Sequence, residues 1–111
     1  METNYRVFKT REFDSDFEGL EKSEKGRVRK FLVQLAEKGG DVGKPLSVPF
    51  FREKKFGGKR LYFLVYENVF VILAVAMSNK KAQQATINVI LAKLAQYQTY
   101  VIETLKEKGI S

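Results

Sequence analysis

The sequence predicts an α+β domain of order β-α-α-β-β-β-α, a small mainly antiparallel sheet with an N-terminal helical hairpin and a long C-terminal helix. Three observations carry that prediction. Strand-forming runs flank Gly57-Gly58, a two-residue hairpin signal that calls for positive φ. Val69 to Met77 is continuously apolar, the pattern of a strand covered on both faces. Lys80 to Lys108 contains neither Pro nor Gly and is rich in Ala, Gln, Leu, Ile and Lys. With 111 residues the chain is long enough for one core and too short for two, so residues 1–111 are read as a single domain.

In chain order, Tyr5 to Lys9 is rich in β-formers and partly alternating, which predicts a first strand. Asp14 or Ser15 is the expected cap of a helix whose Phe13, Phe17 and Leu20 form one apolar stripe. Ser23 is expected to open a second helix, with Val28, Phe31, Leu32, Leu35 and Ala36 on its buried face. Gly39-Gly40 ends it, because glycine readily takes the left-handed cap conformation. From Asp41 to Pro49 the prolines Pro45 and Pro49 exclude a central strand. Phe50 to Phe56 and Arg60 to Glu67 are then two strands of a hairpin, Glu67-Asn68 a second tight turn, and Val69 to Met77 the central strand.

Ser78 or Asn79 caps the closing helix and Gly109 stops it, while Ile87, Ile90, Leu94, Tyr97 and Val101 step by three and four along one face. A continuous helix over about 80–108 would run roughly 40 Å. Two placements fit that length. The helix packs along the sheet, or its far end, Tyr97 to Leu105, projects to meet a partner or a second copy in a homodimer.

Composition narrows the function classes. A hydrophobic fraction of 44%, with nine Phe and five Tyr, describes a folded globule. The absence of cysteine removes disulfides, thiolate nucleophiles and the usual zinc cages, and fits a reducing compartment. The absence of histidine confines acid–base chemistry to Lys, Arg, Tyr and carboxylates. The start of the chain has no apolar signal core. The longest apolar run is about half of what a bilayer crossing needs, so the cytoplasm is expected and a membrane is not. There is no paired-carboxylate metal motif, Walker loop or nucleophile elbow, so neither metal nor cofactor is expected.

The net charge of +7 is unevenly spread. Residues 1–21 hold three basic and six acidic side chains, whereas Lys44 to Arg60 holds six basic residues and the single acid Glu53. An anionic partner for the middle of the chain follows. Strand alternation places Phe51, Glu53 and Lys55 on one face and Arg52, Lys54 and Phe56 on the other. Lys55, Arg60, Tyr62 and Lys81, converging at one sheet edge, would hold an RNA backbone, with the closing helix's N-terminal N–H groups adding to the attraction. The bland alternative is an edge strand blunted by lysines against aggregation. Glu53 is a candidate base for RNA cleavage by the neighbouring 2′-hydroxyl, or equally an ion-pair partner of Lys55 or Arg52.

Several short motifs resemble the RelE/ParE superfamily of toxins. Lys44-Pro45-Leu46 precedes the meander, Phe51-Arg52-Glu53-Lys54-Lys55-Phe56 is similar to that family's aromatic-Glu-x-basic-apolar strand, and Gly58-Lys59-Arg60-Leu61-Tyr62-Phe63 resembles its Gly-x-Arg-apolar-x-Tyr strand. A pair of lysines, Lys80-Lys81, follows the apolar strand. The resemblance spans roughly residues 5–95 and implies a toxin neutralised by a cognate antitoxin protein. RelE-like and HigB-like members cleave mRNA on the ribosome without a metal; ParE-like members poison DNA gyrase; a third possibility is a silent homologue kept for RNA or partner binding. Carried onto this chain, the nuclease reading has Arg60 clamping phosphate, Lys55 as base or clamp, and Lys81 stabilising the transition state. Arg52, Lys54, Lys59 and Lys80 hold the RNA backbone. RelE's catalytic tyrosine would fall near Ile87, so proton handling passes to Tyr62, Glu53 or a lysine.

Overall fold

The computed structural model describes residues 4–39 and 42–109. Its order is β1 (Arg6–Lys9), α1 (Arg11–Glu18), α2 (Lys22–Lys38), β2 (Lys44–Pro45), β3 (Phe51–Phe56), β4 (Lys59–Tyr66), β5 (Val71–Asn79), α3 (Gln83–Ala92) and α4 (Leu94–Glu107). The strands form one sheet in the order β1-β5-β4-β3-β2, antiparallel except for the β1–β5 pair. The expected α+β architecture is therefore present. The element order differs from expectation in a fifth, two-residue strand at the edge and in a closing helix in two pieces.

Of the apolar run expected as the central strand, Val71 to Met77 lie in β5, whereas Val69 and Phe70 are exposed in the turn before it; β5 lies between β1 and β4 and sends side chains into two cores. On one face Ile72 and Ala74 join Leu61 and Phe63 of β4 beneath Phe13 of α1 and Phe31 of α2. On the other, Leu73 and Val75 join Tyr62 and Leu64 beneath Ile90 of α3 and Tyr97 of α4. Continuous hydrophobicity is needed over Val71 to Val75 because neither face of the strand meets water there.

Both N-terminal helices start earlier than Asp14, Ser15 or Ser23 would allow. Thr10 caps α1, its Oγ1 accepting from Phe13 N at 3.0 Å and donating to Val75 O at 2.7 Å. A single buried hydroxyl thus fixes both the helix start and its seat on the central strand. For α2, Glu24 Oε1 accepts from Glu21 N at 3.0 Å, one half of a reciprocal cap. Gly39 ends α2 with φ 65; Gly40 and Asp41 lie outside the described residues.

The hairpin turn takes its left-handed residue at Gly57, with φ 59. At Gly43 (φ 83) a Cβ would stand 2.8 Å from the Phe63 ring and 3.0 Å from Glu53 O, so only glycine lets the loop close over β3 and β4. The Glu67-Asn68 turn is a 3-10 turn from Glu67 to Val69, followed by Phe70 in the left-handed region.

The single long helix is corrected by a break at Lys93, whose φ of −111° and ψ of 12° leave the helical region. No Pro or Gly marks it. The two pieces seat on different strands: Tyr97, Val101 and Leu105 of α4 are buried with Phe8 of β1, and the Tyr100 hydroxyl donates to Lys9 O at 3.1 Å. The far end of the helix thus lies along the sheet and does not project. Among the described residues no helix is long and apolar enough to cross a membrane.

Beneath α4 the Tyr66 hydroxyl is sealed from solvent without a hydrogen-bond partner. An unmade bond of this kind costs about 1–3 kcal/mol, so Tyr66→Phe is expected to raise unfolding stability by about 1 kcal/mol in urea titration. Burial, aided by Tyr97, pushes the Tyr66 phenol up to about 12 from 10.0. The folded state holds that proton more tightly than the unfolded chain, so stability is lost as pH rises from 10 towards 12. In Tyr66→Phe that part of the alkaline slope disappears, and an unchanged slope would assign it to other groups.

Candidate nucleic-acid interface

The site is built on the end of the sheet where β3 leaves, β4 enters and β5 exits. Lys55 pairs with Arg60, and Arg60 with Ser78. Strands lie about 4.8 Å apart, so the three residues form one row about 10 Å wide, their side chains on a common face. In the next row inward Glu53 pairs with Tyr62 and Tyr62 with Ala76. A register shift between Tyr62 and Phe63 leaves Val75 as an extra residue of β5. Beyond that bulge Ser78 sits on the same face as Tyr62, their oxygens 2.8 Å apart.

Arg60 is only 7% exposed, although nothing in its sequence neighbourhood marks a buried cation. Its Nε is sealed and makes no hydrogen bond, and among the described residues the guanidinium makes no ion pair. Only Nε is sealed; the two Nη groups are not, so the outer edge of the fork reaches solvent while its stem is buried. Such a group is set to receive an anion.

Glu53 is 3% exposed and accepts from Gln83 Nε2 at 2.8 Å through Oε2. Its Oε1 carries no hydrogen bond and is not sealed from solvent, so one carboxylate oxygen stays open, one row inward from Lys55 and Arg60 on the same face. Neither Lys55 nor Arg52 pairs with it. Gln83, in the first turn of α3, had not been anticipated. It lies 30 residues from Glu53, and no local pattern announces such a contact.

Tyr62 is fully buried. Burial raises its phenol above 10.0, with Ser78's hydrogen bond working against the rise and Glu53 adding to it. It is a protonated support beneath the row. Lys80 and Lys81 follow the exit of β5, exposed, in a turn where Asn79 Oδ1 accepts from Ala82 N at 2.8 Å. Neither Ser78 nor Asn79, the two expected caps, occupies the helix N-cap: that position is Ala82, without a side-chain cap, and the Asn79 bond belongs to the turn before α3.

Three of the expected RNA contacts are on the opposite face. Arg52 Nη1 donates to Gly43 O at 3.1 Å, Lys54 stands over the Phe31 ring at 5.7 Å, and Lys59 pairs with Glu24 of α2 at 3.1 Å. The Glu21 N–H and the Lys59 ammonium lower the Glu24 carboxyl's pKa, in that order of size. The cationic strand is thus divided: Glu53, Lys55, Arg60 and Tyr62 share one face, with Lys80 and Lys81 at its rim, and Arg52, Lys54 and Lys59 serve the other. Ile87, where a tyrosine would fall by resemblance, is buried in the core. Among the described residues no three His, Cys, Asp or Glu side chains cluster as metal ligands.

Comparison with solved structures decides the fold. A mutant E. coli RelE toxin in the free state superposes with a TM-score of 0.64 at 18% identity, over 73% of this chain and 88% of the toxin. This chain has the RelE fold. A RelBE toxin–antitoxin complex from Mycobacterium tuberculosis matches at TM-score 0.60 and 20% identity, over 69% of this chain and 99% of that one. The archaeal RelE–RelB complex from Pyrococcus horikoshii gives 0.57 and 19%, over 69% and 96%. No family model and no curated protein matches the sequence. The likeness is therefore one of fold.

Proposed function

We propose that this chain is the toxin of a toxin–antitoxin pair and that it cleaves ribosome-bound mRNA in the cytoplasm. The observation that carries this reading is Arg60, a largely buried arginine with an unpartnered Nε, in one row with Lys55 and one row outward, on the same face, from Glu53. The fold shared with toxins found in complex with RelB antitoxins supports the same reading.

In the proposed reaction the scissile phosphate binds Arg60, and Lys55 and Lys81 offset the charge of the phosphorane. Glu53 Oε1 accepts the proton of the 2′-hydroxyl as its oxygen bonds to phosphorus. The P–O5′ bond breaks, a lysine ammonium protonates the leaving oxygen, and a 2′,3′-cyclic phosphate remains. Gln83 holds the carboxylate so that Oε1 faces outward, and Tyr62 with Ser78 fixes the strand exit from which Lys80 and Lys81 extend. Nucleophile, base, acid and clamp are all supplied by the chain and the RNA.

Induced expression with transcript end-mapping tests the proposal. Codon-phased cuts are expected in wild type and at least about tenfold fewer in Lys81→Ala, whose cation stabilises charge from an exposed position. Growth arrest with intact transcripts and blocked supercoiling would replace this reading by gyrase poisoning. Absence of arrest would leave a silent binding homologue.

A further inference from the structure

Ser78 reaches the Arg60 face only because of the bulge in β5. Ile72 and Ala74 point into the core beneath α1 and α2, so strict alternation would send Ala76 and Ser78 the same way. Val75 is the extra residue, and Val75 and Ala76 both turn to the opposite core. Met77 then packs beneath the helical hairpin, and Ser78 comes out in the row of Lys55 and Arg60. We propose that the Ser78 hydroxyl is a further catalytic group, a neutral donor to the phosphate oxygen that gains charge while Arg60 holds the same phosphate.

The direction of one hydrogen bond carries the proposal. Tyr62 Oη and Ser78 Oγ are 2.8 Å apart, and by distance either could donate. Tyr62 is fully buried, and among the described residues its hydroxyl has no other partner. Were Ser78 the donor, the phenol proton would stay in the core without an acceptor, at the full cost of desolvation. Burial also holds the phenol protonated, so the proton is there to give. Tyr62 therefore donates. Ser78 Oγ accepts, and its own hydrogen is left on a half-buried side chain with no acceptor among the described residues. The accepted bond polarises the serine O–H and makes it a better donor. Its cross-strand neighbour Arg60 also lacks an internal partner, so two unused donors stand on backbones about 5 Å apart, within reach of one phosphate group.

The proposal rests on the nuclease reading for the reaction and on the Tyr62–Ser78 bond for the donor. As the 2′-oxygen bonds to phosphorus, charge builds on the non-bridging oxygens, and Ser78 donates to one of them without giving up its proton. Tyr62 is a positioning residue: it touches no substrate and aims the serine by occupying its lone pair. A pair that only ties β4 to the exit of β5 would make the two residues equivalent, since losing either one breaks the same bond. A working donor makes them unequal.

Single-turnover cleavage of ribosome-bound mRNA by the full chain separates the two cases. Ser78→Ala is expected to cut at least about tenfold more slowly, and Tyr62→Phe, which keeps the serine hydroxyl, to lose only about threefold. Ser78→Ala also strands the Tyr62 proton in the core, so the double variant Tyr62→Phe/Ser78→Ala is the control. It leaves no buried donor unmade and is expected to be as slow as Ser78→Ala. The affinity of an uncleavable mRNA with a 2′-deoxynucleotide at the cleavage position is expected to stay within about twofold in all three variants, because the donor acts on charge that the ground state lacks. Equal losses of rate in Ser78→Ala and Tyr62→Phe, a double variant at the wild-type rate, or affinity falling in step with rate would overturn the proposal. So would full rate in Ser78→Ala, and the nuclease reading would stand. A wild-type chain that cuts no RNA would overturn the nuclease reading, and the donor with it.

Discussion

If the proposed cleavage holds, Arg60→Ala is expected to lower the single-turnover rate on mRNA by about 10²–10³-fold, the loss expected when one preorganised donor to a developing oxyanion is removed. The effect should be large because the arginine stem is buried, its Nε is sealed, and the fork has no competing ion-pair partner among the described residues. Arg60→Lys keeps the charge but loses the planar fork, so it is expected to recover little of the rate. Folding is the control. Since Nε makes no hydrogen bond in the free protein, the alanine variant breaks no network, and its urea midpoint should stay near wild type. Cleavage at the wild-type rate, or loss of rate that merely follows loss of fold, would remove Arg60 from the reaction.

Phe63→Ala destabilises the fold by about 3–5 kcal/mol, the range for deleting a buried aromatic ring. Phe63 is 0% exposed and lies beneath Phe31. Its ring also fills the space that Gly43 leaves by lacking a Cβ. Three elements lose a contact at once, and relaxation cannot close the cavity without moving the loop before β3. Domains of this size are stable by only about 5–15 kcal/mol, so the variant should show a much lower urea midpoint with an unchanged slope. Val33→Ala, at a helix position 59% exposed, is expected to stay within about 0.5 kcal/mol. A loss below about 1 kcal/mol in Phe63→Ala would mean that the site collapses freely.

The sheet was largely legible in the sequence because its signals are local. Gly57 marks the hairpin, and unbroken hydrophobicity from Val71 to Val75 states that both faces of β5 are covered. Alternation along β3 already separated Glu53 and Lys55 from Arg52 and Lys54, although all were first assigned to one RNA surface. The helix starts were misplaced because Thr10 and Glu21, not the more obvious serines and aspartates, occupy the cap positions that packing on β5 dictates. The break at Lys93 has no local sign, since it answers to the seats of α3 and α4 on different strands. The burial of Arg60 and the hold of Gln83 on Glu53 were hidden for the same reason: both arise only when segments far apart in the chain meet.

The parallel pairing of β1 with β5 bears on how the protein is made. Thr10 bonds to Val75 across 65 positions, and Arg6 to Lys9 have no neighbouring strand until Val71 to Ala74 exist. During synthesis the first strand and the two helices after it leave the ribosome with half a core and nothing to close it. Joining ends so far apart is entropically uphill until the hairpin has formed, so the sheet assembles late and from its C-terminal half. A nascent chain stalled before β5 therefore carries all of α1 and α2 but lacks the strand that completes the Lys55–Arg60–Ser78 row, which closes only as the last third of the polypeptide emerges.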